Sequence, residues 1–284
     1  MGPAKATSSR MDNLLVLALS ITVAGHSIYV PISLLILGPL ALIGLFFATP
    51  KRAAKRIAEQ MKHIYSQPHE YKAVEARQFS GLDLKYYDDT AAALESEGFT
   101  RLGDMENLTL TQIYPHMRTF TRYMSGCDGT VFVAIFQIKP RGWKSILSGT
   151  ASKNLRTINF QTEFSDGHYI SSSNAGSAAK LSAPPQVQAL RFEKETPVPE
   201  ILMAHLRAVA GYAQNHPDAH LSVVDSQDEA MAFQNRYHAM QCAYRQGLKT
   251  PVTAQEMRDI AGTERREAGE KVMAEMEKQA AEKF

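Results

Sequence analysis

The chain has 284 residues, with 31 Lys and Arg against 29 Asp and Glu and a formal net charge of +2. That balance removes the electrostatic case for nucleic acid or for a strongly acidic partner. Cys127 and Cys242 are the only cysteines, too few for a disulfide framework and in keeping with a reducing compartment.

After a short tail (residues 1–12), the stretch from Asn13 to Ala48 reads NLLVLALSITVAGHSIYVPISLLILGPLALIGLFFA, without one Asp, Glu, Lys or Arg. A spanning helix needs roughly 20 apolar residues. This run is too long for one ordinary span and only just long enough for two. Pro31 divides it, and Gly38-Pro39 marks a kink. Three readings follow, in order of preference. The first is a hairpin of two short spans. The second is a single kinked span at about Val30–Ala48, with Leu14–Ile28 as an interfacial extension. The third is a cleavable signal peptide, for which Thr22-Val23-Ala24 is a poor cleavage site. Lys51, Arg52, Lys55 and Arg56 follow the run at once. Basic flanks stay on the cytoplasmic side, so an integral membrane protein with its bulk in the cytoplasm is expected. The bilayer is then its first partner.

Residues 49–70 carry a basic juxtamembrane helix (KRAAKRIAEQMKHIY) that Pro68 ends. Residues 71–250 read as one α+β domain with a mainly antiparallel sheet. A helix is expected over Thr90–Glu97, capped by Asp89, and a strand follows from Phe99. Two hairpins come next. His116–Met124 and Thr130–Lys139 flank an Asp128-Gly129 turn; Thr157–Phe164 and His168–Ser173 flank Ser165-Asp166-Gly167. Val131, Val133 and Ile135 alternate with Phe132, Ala134 and Phe136, which marks a central strand. Ile158, Phe160 and Phe164 alternate with Asn159, Gln161 and Glu163, which reads as a half-exposed strand. Pro140–Ser152, with Trp143, and Ser171–Pro185 read as loops. Thr196 caps a helix to about Tyr212 whose apolar face holds His205. Another runs from Gln227 to Gln246 with Phe233, Tyr237, Met240 and Tyr244 as its buried stripe. Thr253 and Glu256 form a capping box that opens a long charged helix filling residues 251–284. Its thin stripe, Met257, Ile260, Val272 and Met276, needs a partner surface.

The succession Gly98-Phe-Thr-Arg-Leu-Gly-Asp104, Asp128-Gly-Thr130, and Glu163-Phe-Ser-Asp-Gly-His-Tyr169 with Ser172-Ser-Asn174 resembles a group of uncharacterised bacterial membrane-anchored proteins. The resemblance covers roughly residues 30–215. It implies an N-terminal apolar segment, two hairpins, a Pro-Pro loop and a helix bearing a histidine like His205. It implies no activity.

Candidate chemistry is sparse. Ser177-Ala-Ala-Lys180 matches the Ser-x-x-Lys pattern, in which a lysine one turn away activates a serine nucleophile. His216 and His220 with Asp218 are the only metal-ligand spacing, and Pro217 blocks helical convergence of the two rings. His205 reads as a core histidine before it reads as a general base. His238 and Cys242 stand one turn apart. No phosphate loop, dinucleotide fingerprint, nucleophile elbow or His-Glu-x-x-His is present, and no cofactor is expected. The leading expectation is an accessory or assembly subunit that binds other proteins of a membrane complex. A membrane-tethered hydrolase or small-ligand-binding domain, using Ser177, Lys180 or a pocket around His205, is the alternative.

Overall fold

Alternating apolar residues on both sides of Val131–Ile138 belong in the middle of a sheet, and the computed structural model puts them there. It describes residues 18–23, 26–31, 50–66, 68–139, 155–175, 181–261 and 266–282. The chain divides into two units, Met1–Ala53 and Ala54–Phe284.

In the first unit, β1 (Ala18–Val23) and β2 (His26–Pro31) pair antiparallel, with Val23 opposite His26. This part of the apolar run was expected to be helical and is instead a strand hairpin. Ile21, Thr22, Val23, Ile28 and Val30 are β-branched, which favours strand. No helix among the described residues is long and apolar enough to cross a membrane. The rest of the run, 13–17, 24–25 and 32–48, lies outside the described residues.

Helix α1 (Pro50–Ile64) follows. In the second unit β3 (Tyr71–Ala73) precedes α2 (Leu84–Ser96), β4 (Thr100–Asn107) and the short α3 (Leu108–Ile113). The two hairpins are β5 (Thr121–Gly126) with β6 (Val131–Ile138), and β7 (Leu155–Glu163) with β8 (Tyr169–Ser173). Then come β9 (Val187–Arg191), α4 (Val198–Asn215), α5 (Gln227–Gln246), α6 (Ala254–Ala261) and α7 (Arg266–Ala281). The sheet order is β3-β4-β5-β6-β7-β8-β9, so β6 is central. Among the described strands only the β8–β9 pair is parallel. Both hairpin turns fall where Asp-Gly announces them, with Cys127, Asp128, Gly129 and Gly167 at positive φ. Asp83, not Asp89, caps α2: the helix begins at Leu84, the Asp83 carboxylate accepts from the Tyr86 N–H at 3.3 Å, and Asp89 lies inside the helix, paired with Lys85. Pro197, not Thr196, sits at the N-cap of α4.

One face of the sheet is apolar and carries α2 and α4. Val133, Ile135, Ile158 and Phe160 pack there on Leu94, Phe120 and Ile201. Gly126 makes the close approach on that side: a Cβ there would collide with the Phe99 ring. A buried Arg122–Asp104 pair at 2.9 Å, extended to Asp88 at 2.7 Å, ties α2 to the strands. The opposite face carries α5, whose Phe233 packs on Phe132, Tyr123 and Tyr169. The polar side of β7 is therefore covered rather than half-exposed, because α5 brings Arg236 to Glu163 and Gln234 to Gln161.

The C-terminal segment is described as two helices, α6 and α7, where one was expected. The capping box forms: Glu256 N–H donates to Thr253 Oγ1 at 3.2 Å, and Thr253 N–H donates to the Glu256 carboxylate at 2.7 Å.

Candidate functional site

Thr157, Asn159 and Gln161 occupy alternate positions of β7, and the register sets Phe136 opposite Thr157 and Ala134 opposite Asn159. Helix α5 faces them with Gln234, Tyr237, His238 and Gln241, spaced i, i+3, i+4 and i+7 and hence on one side. At the Glu163 end the helix lies tight on the strands. Away from it a cavity of about 370 Å³ opens between α5, the strands and a rim that includes Tyr71, Asn107 and Tyr114. A second cavity, about 260 Å³, shares Tyr65, Phe136, Asn159, Tyr237 and Gln241 with the first and runs toward Ser171 and Ser173. The size is that of small-molecule sites.

The larger cavity has no Asp, Glu, Lys or Arg in its lining. Its tyrosines stay protonated: burial pushes Tyr71 up to about 12 and raises Tyr65, Tyr114, Tyr123 and Tyr237. Burial, then the neighbouring His238, lowers His69. The walls thus present aromatic faces, phenol hydroxyls and side-chain amides, with no carboxylate, ammonium or guanidinium among them. The Thr157 hydroxyl, in the lining of the second cavity, is buried without a hydrogen-bond partner. An unpaired buried hydroxyl costs about 1–3 kcal/mol unless something supplies the bond.

Catalytic groups are not poised here. His69 Nε2 lies 3.0 Å from the Ile64 carbonyl and must donate to it, which leaves Nδ1 to accept from the Asn107 amide at 2.9 Å. Both ring nitrogens are thereby used. The His69 ring stacks on His238 at 3.7 Å, and His238 Nε2 meets Cys242 Sγ at 3.2 Å. Burial pushes the Cys242 thiol up, so this pair is a neutral thiol on an imidazole and not a thiolate nucleophile.

The residues singled out from sequence do not converge. Ser177 and Lys180 lie outside the described residues. His205 is fully buried on the other face of the sheet, with Nε2 3.0 Å from Thr162 Oγ1 and Nδ1 2.9 Å from Ser172 Oγ. Thr162 gives its own proton to the Thr130 carbonyl at 2.9 Å, so Nε2 is the N–H and Ser172 donates to Nδ1. Burial lowers His205 to about 4; it is a neutral core group. His216 and His220 are both exposed, and the His216 ring stacks on Tyr212 at 3.9 Å. No cluster of three or more His, Cys, Asp or Glu suited to a metal ion occurs among the described residues. Lys51, Arg52, Lys55 and Arg56 are exposed on α1. Met257 and Met276 are buried with Ala54, Val252 and Met273, and Val272 packs against that cluster. The Ile260 side chain lies outside the described residues.

Sequence reading missed the cleft residues. The polar side of β7 was seen, but it was read as facing solvent. The usable signal was Gln234, Tyr237 and Gln241 on the α5 side that carries part of the buried stripe.

Comparison with protein-family models, curated proteins and solved structures gives no match. Fold and cleft alone define the class: an α+β domain with a neutral, aromatic- and amide-lined cavity beneath one helix.

Proposed function

We propose that the chain is a membrane-anchored accessory protein whose cytoplasmic α+β domain is a binding module, not an enzyme. Its ligand is an uncharged small molecule, rich in hydrogen-bonding groups, held in the cleft under α5. The observation that carries this reading is the cleft itself, with aromatic faces and five side-chain amides (Asn107, Asn159, Gln161, Gln234 and Gln241) and no fixed charge in the larger cavity. Amides and phenols offer both donors and acceptors, which suits a neutral polar ligand and penalises an ionic one. The anchor rests on the sequence of the uncharged run beyond the β1–β2 hairpin, residues 32–48, and on the basic flank after it.

A role as subunit of a larger membrane assembly remains part of the proposal. Met203, Leu221 and Val223 are large apolar side chains left exposed on the domain, and contact with such a partner would cover them. The hydrolase reading has less behind it, since His205 is buried among hydroxyls away from both cavities.

The test is extraction of the full chain from its own membranes in mild detergent, followed by denaturing release and mass spectrometry of small molecules. Wild type should carry a neutral compound that an Asn159→Ala/Tyr237→Ala variant, folded by circular dichroism, does not. The same compounds, or none, in both proteins would overturn the cleft reading.

A further inference from the structure

Helix α1 is strongly two-sided. Ala54, Ile57 and Met61 point into the cluster formed with Val252, Met257, Met273 and Met276, while Lys51, Arg52, Lys55, Arg56 and Lys62 are exposed. An interfacial helix normally places its apolar side in lipid. Here that side is already occupied by the C-terminal helices, so α1 can meet a membrane only through its basic side and edges.

Along one edge runs a groove of about 320 Å³ between α1, the end of α5 and α7. Ala58, Met61, Leu248, Pro251, Met276 and Ala280 give it an apolar floor, and no carboxylate lines it. Of its three cations, Arg245 is committed to Glu256 and to the Ser182 carbonyl at 2.9 Å. The other two, Lys62 and Lys249, are exposed and have no ion-pair partner among the described residues. Two such ammonium groups beside an apolar groove call for a ligand with an anionic head and a hydrocarbon tail.

We infer that this groove binds an anionic membrane phospholipid, its phosphate between Lys62 and Lys249 and an acyl chain along Met61, Met276 and Ala280. The source of the lipid follows from chain continuity and rests on the anchored reading. Pro50 directly follows the apolar run, and Lys62 lies roughly 18 Å further along the helix, within the headgroup layer if α1 lies along the surface.

The probe is a equimolar mixture of phosphatidylglycerol and phosphatidylcholine added to the delipidated full chain in detergent, read by native mass spectrometry. Wild type should retain phosphatidylglycerol in preference by roughly tenfold, and Lys62→Gln/Lys249→Gln should lose most of that preference. Lys271→Gln, which removes an exposed α7 charge paired with Glu267, should keep it. Equal retention of both lipids by wild type would overturn the inference. So would an undiminished preference in the double variant, which would move the selectivity to Lys51, Arg52, Lys55 and Arg56. A chain that stays in solution without detergent would sink the anchor, while the variant comparison would still decide the groove.

Discussion

His205 holds its two hydroxyl partners with no exposed surface, and this has a consequence for acid stability. Its folded value is lowered to about 4, below the usual 6.5. The unfolded chain therefore binds the proton more readily across that interval. Stability from this residue is fully present above about pH 6.5 and is lost as pH falls toward 4, a total of roughly 3 kcal/mol. Chemical denaturation at pH 7 and pH 4.5 should show that loss in wild type and a flatter profile in His205→Gln. Equal slopes would mean that the imidazole is charged in the fold. Glu256 acts further into acid. Burial would raise it, but Arg245 and the Thr253 and Ser182 N–H groups outweigh burial and bring it to about 2. Its contribution is present above the usual 4.5 and disappears as pH falls toward 2.

At the scale of elements, the C-terminal pair shows how a glycine can mislead. Gly269 weakens a lone helix, yet a Cβ at this position would come within 2.8 Å of the Ala261 Cβ. The residue permits α6 and α7 to touch. Gly269→Leu should destabilise the chain by about 1–3 kcal/mol in denaturation experiments, despite the better helix former. A stabilised variant would contradict this packing. Patterns that depend on local chemistry were legible: both Asp-Gly turns, the central β6, the Gln227–Gln246 limits of α5, and the Thr253–Glu256 box. What failed depends on distant residues. The polar side of β7 looks solvent-facing until Arg236 and Gln234 are brought to it. The parallel strand β9 carries only Val187, Ala189 and Leu190 as apolar signal. The stripe of Met257 and Met276 finds its partner in α1, nearly 200 residues earlier in the chain. The binding cleft was not legible at all, since its walls come from the end of α1 through to α5 and its chemistry lies in uncharged side chains that match no motif.

For the whole molecule, Cys127 offers a native reporter of sidedness. It is exposed on the β5–β6 turn, while burial and then Asp128 push its thiol up, so labelling is best done near pH 8. In a Cys242→Ser background, a membrane-impermeant maleimide should label the full chain only after cells are permeabilised. Labelling of intact cells would place the domain outside.

The most direct measurement on the binding reading is the thermal midpoint of the full chain as isolated from its membranes, before and after exhaustive removal of small molecules. A ligand bound only by the folded state raises the midpoint, so stripping should lower it in wild type. Ala134 lies in the floor of the larger cavity. Ala134→Phe fills that space, and its own midpoint should not change on stripping, whatever the overpacking costs. A wild-type midpoint that is indifferent to stripping, or an Ala134→Phe midpoint that falls with it, would contradict a ligand in the α5 cleft.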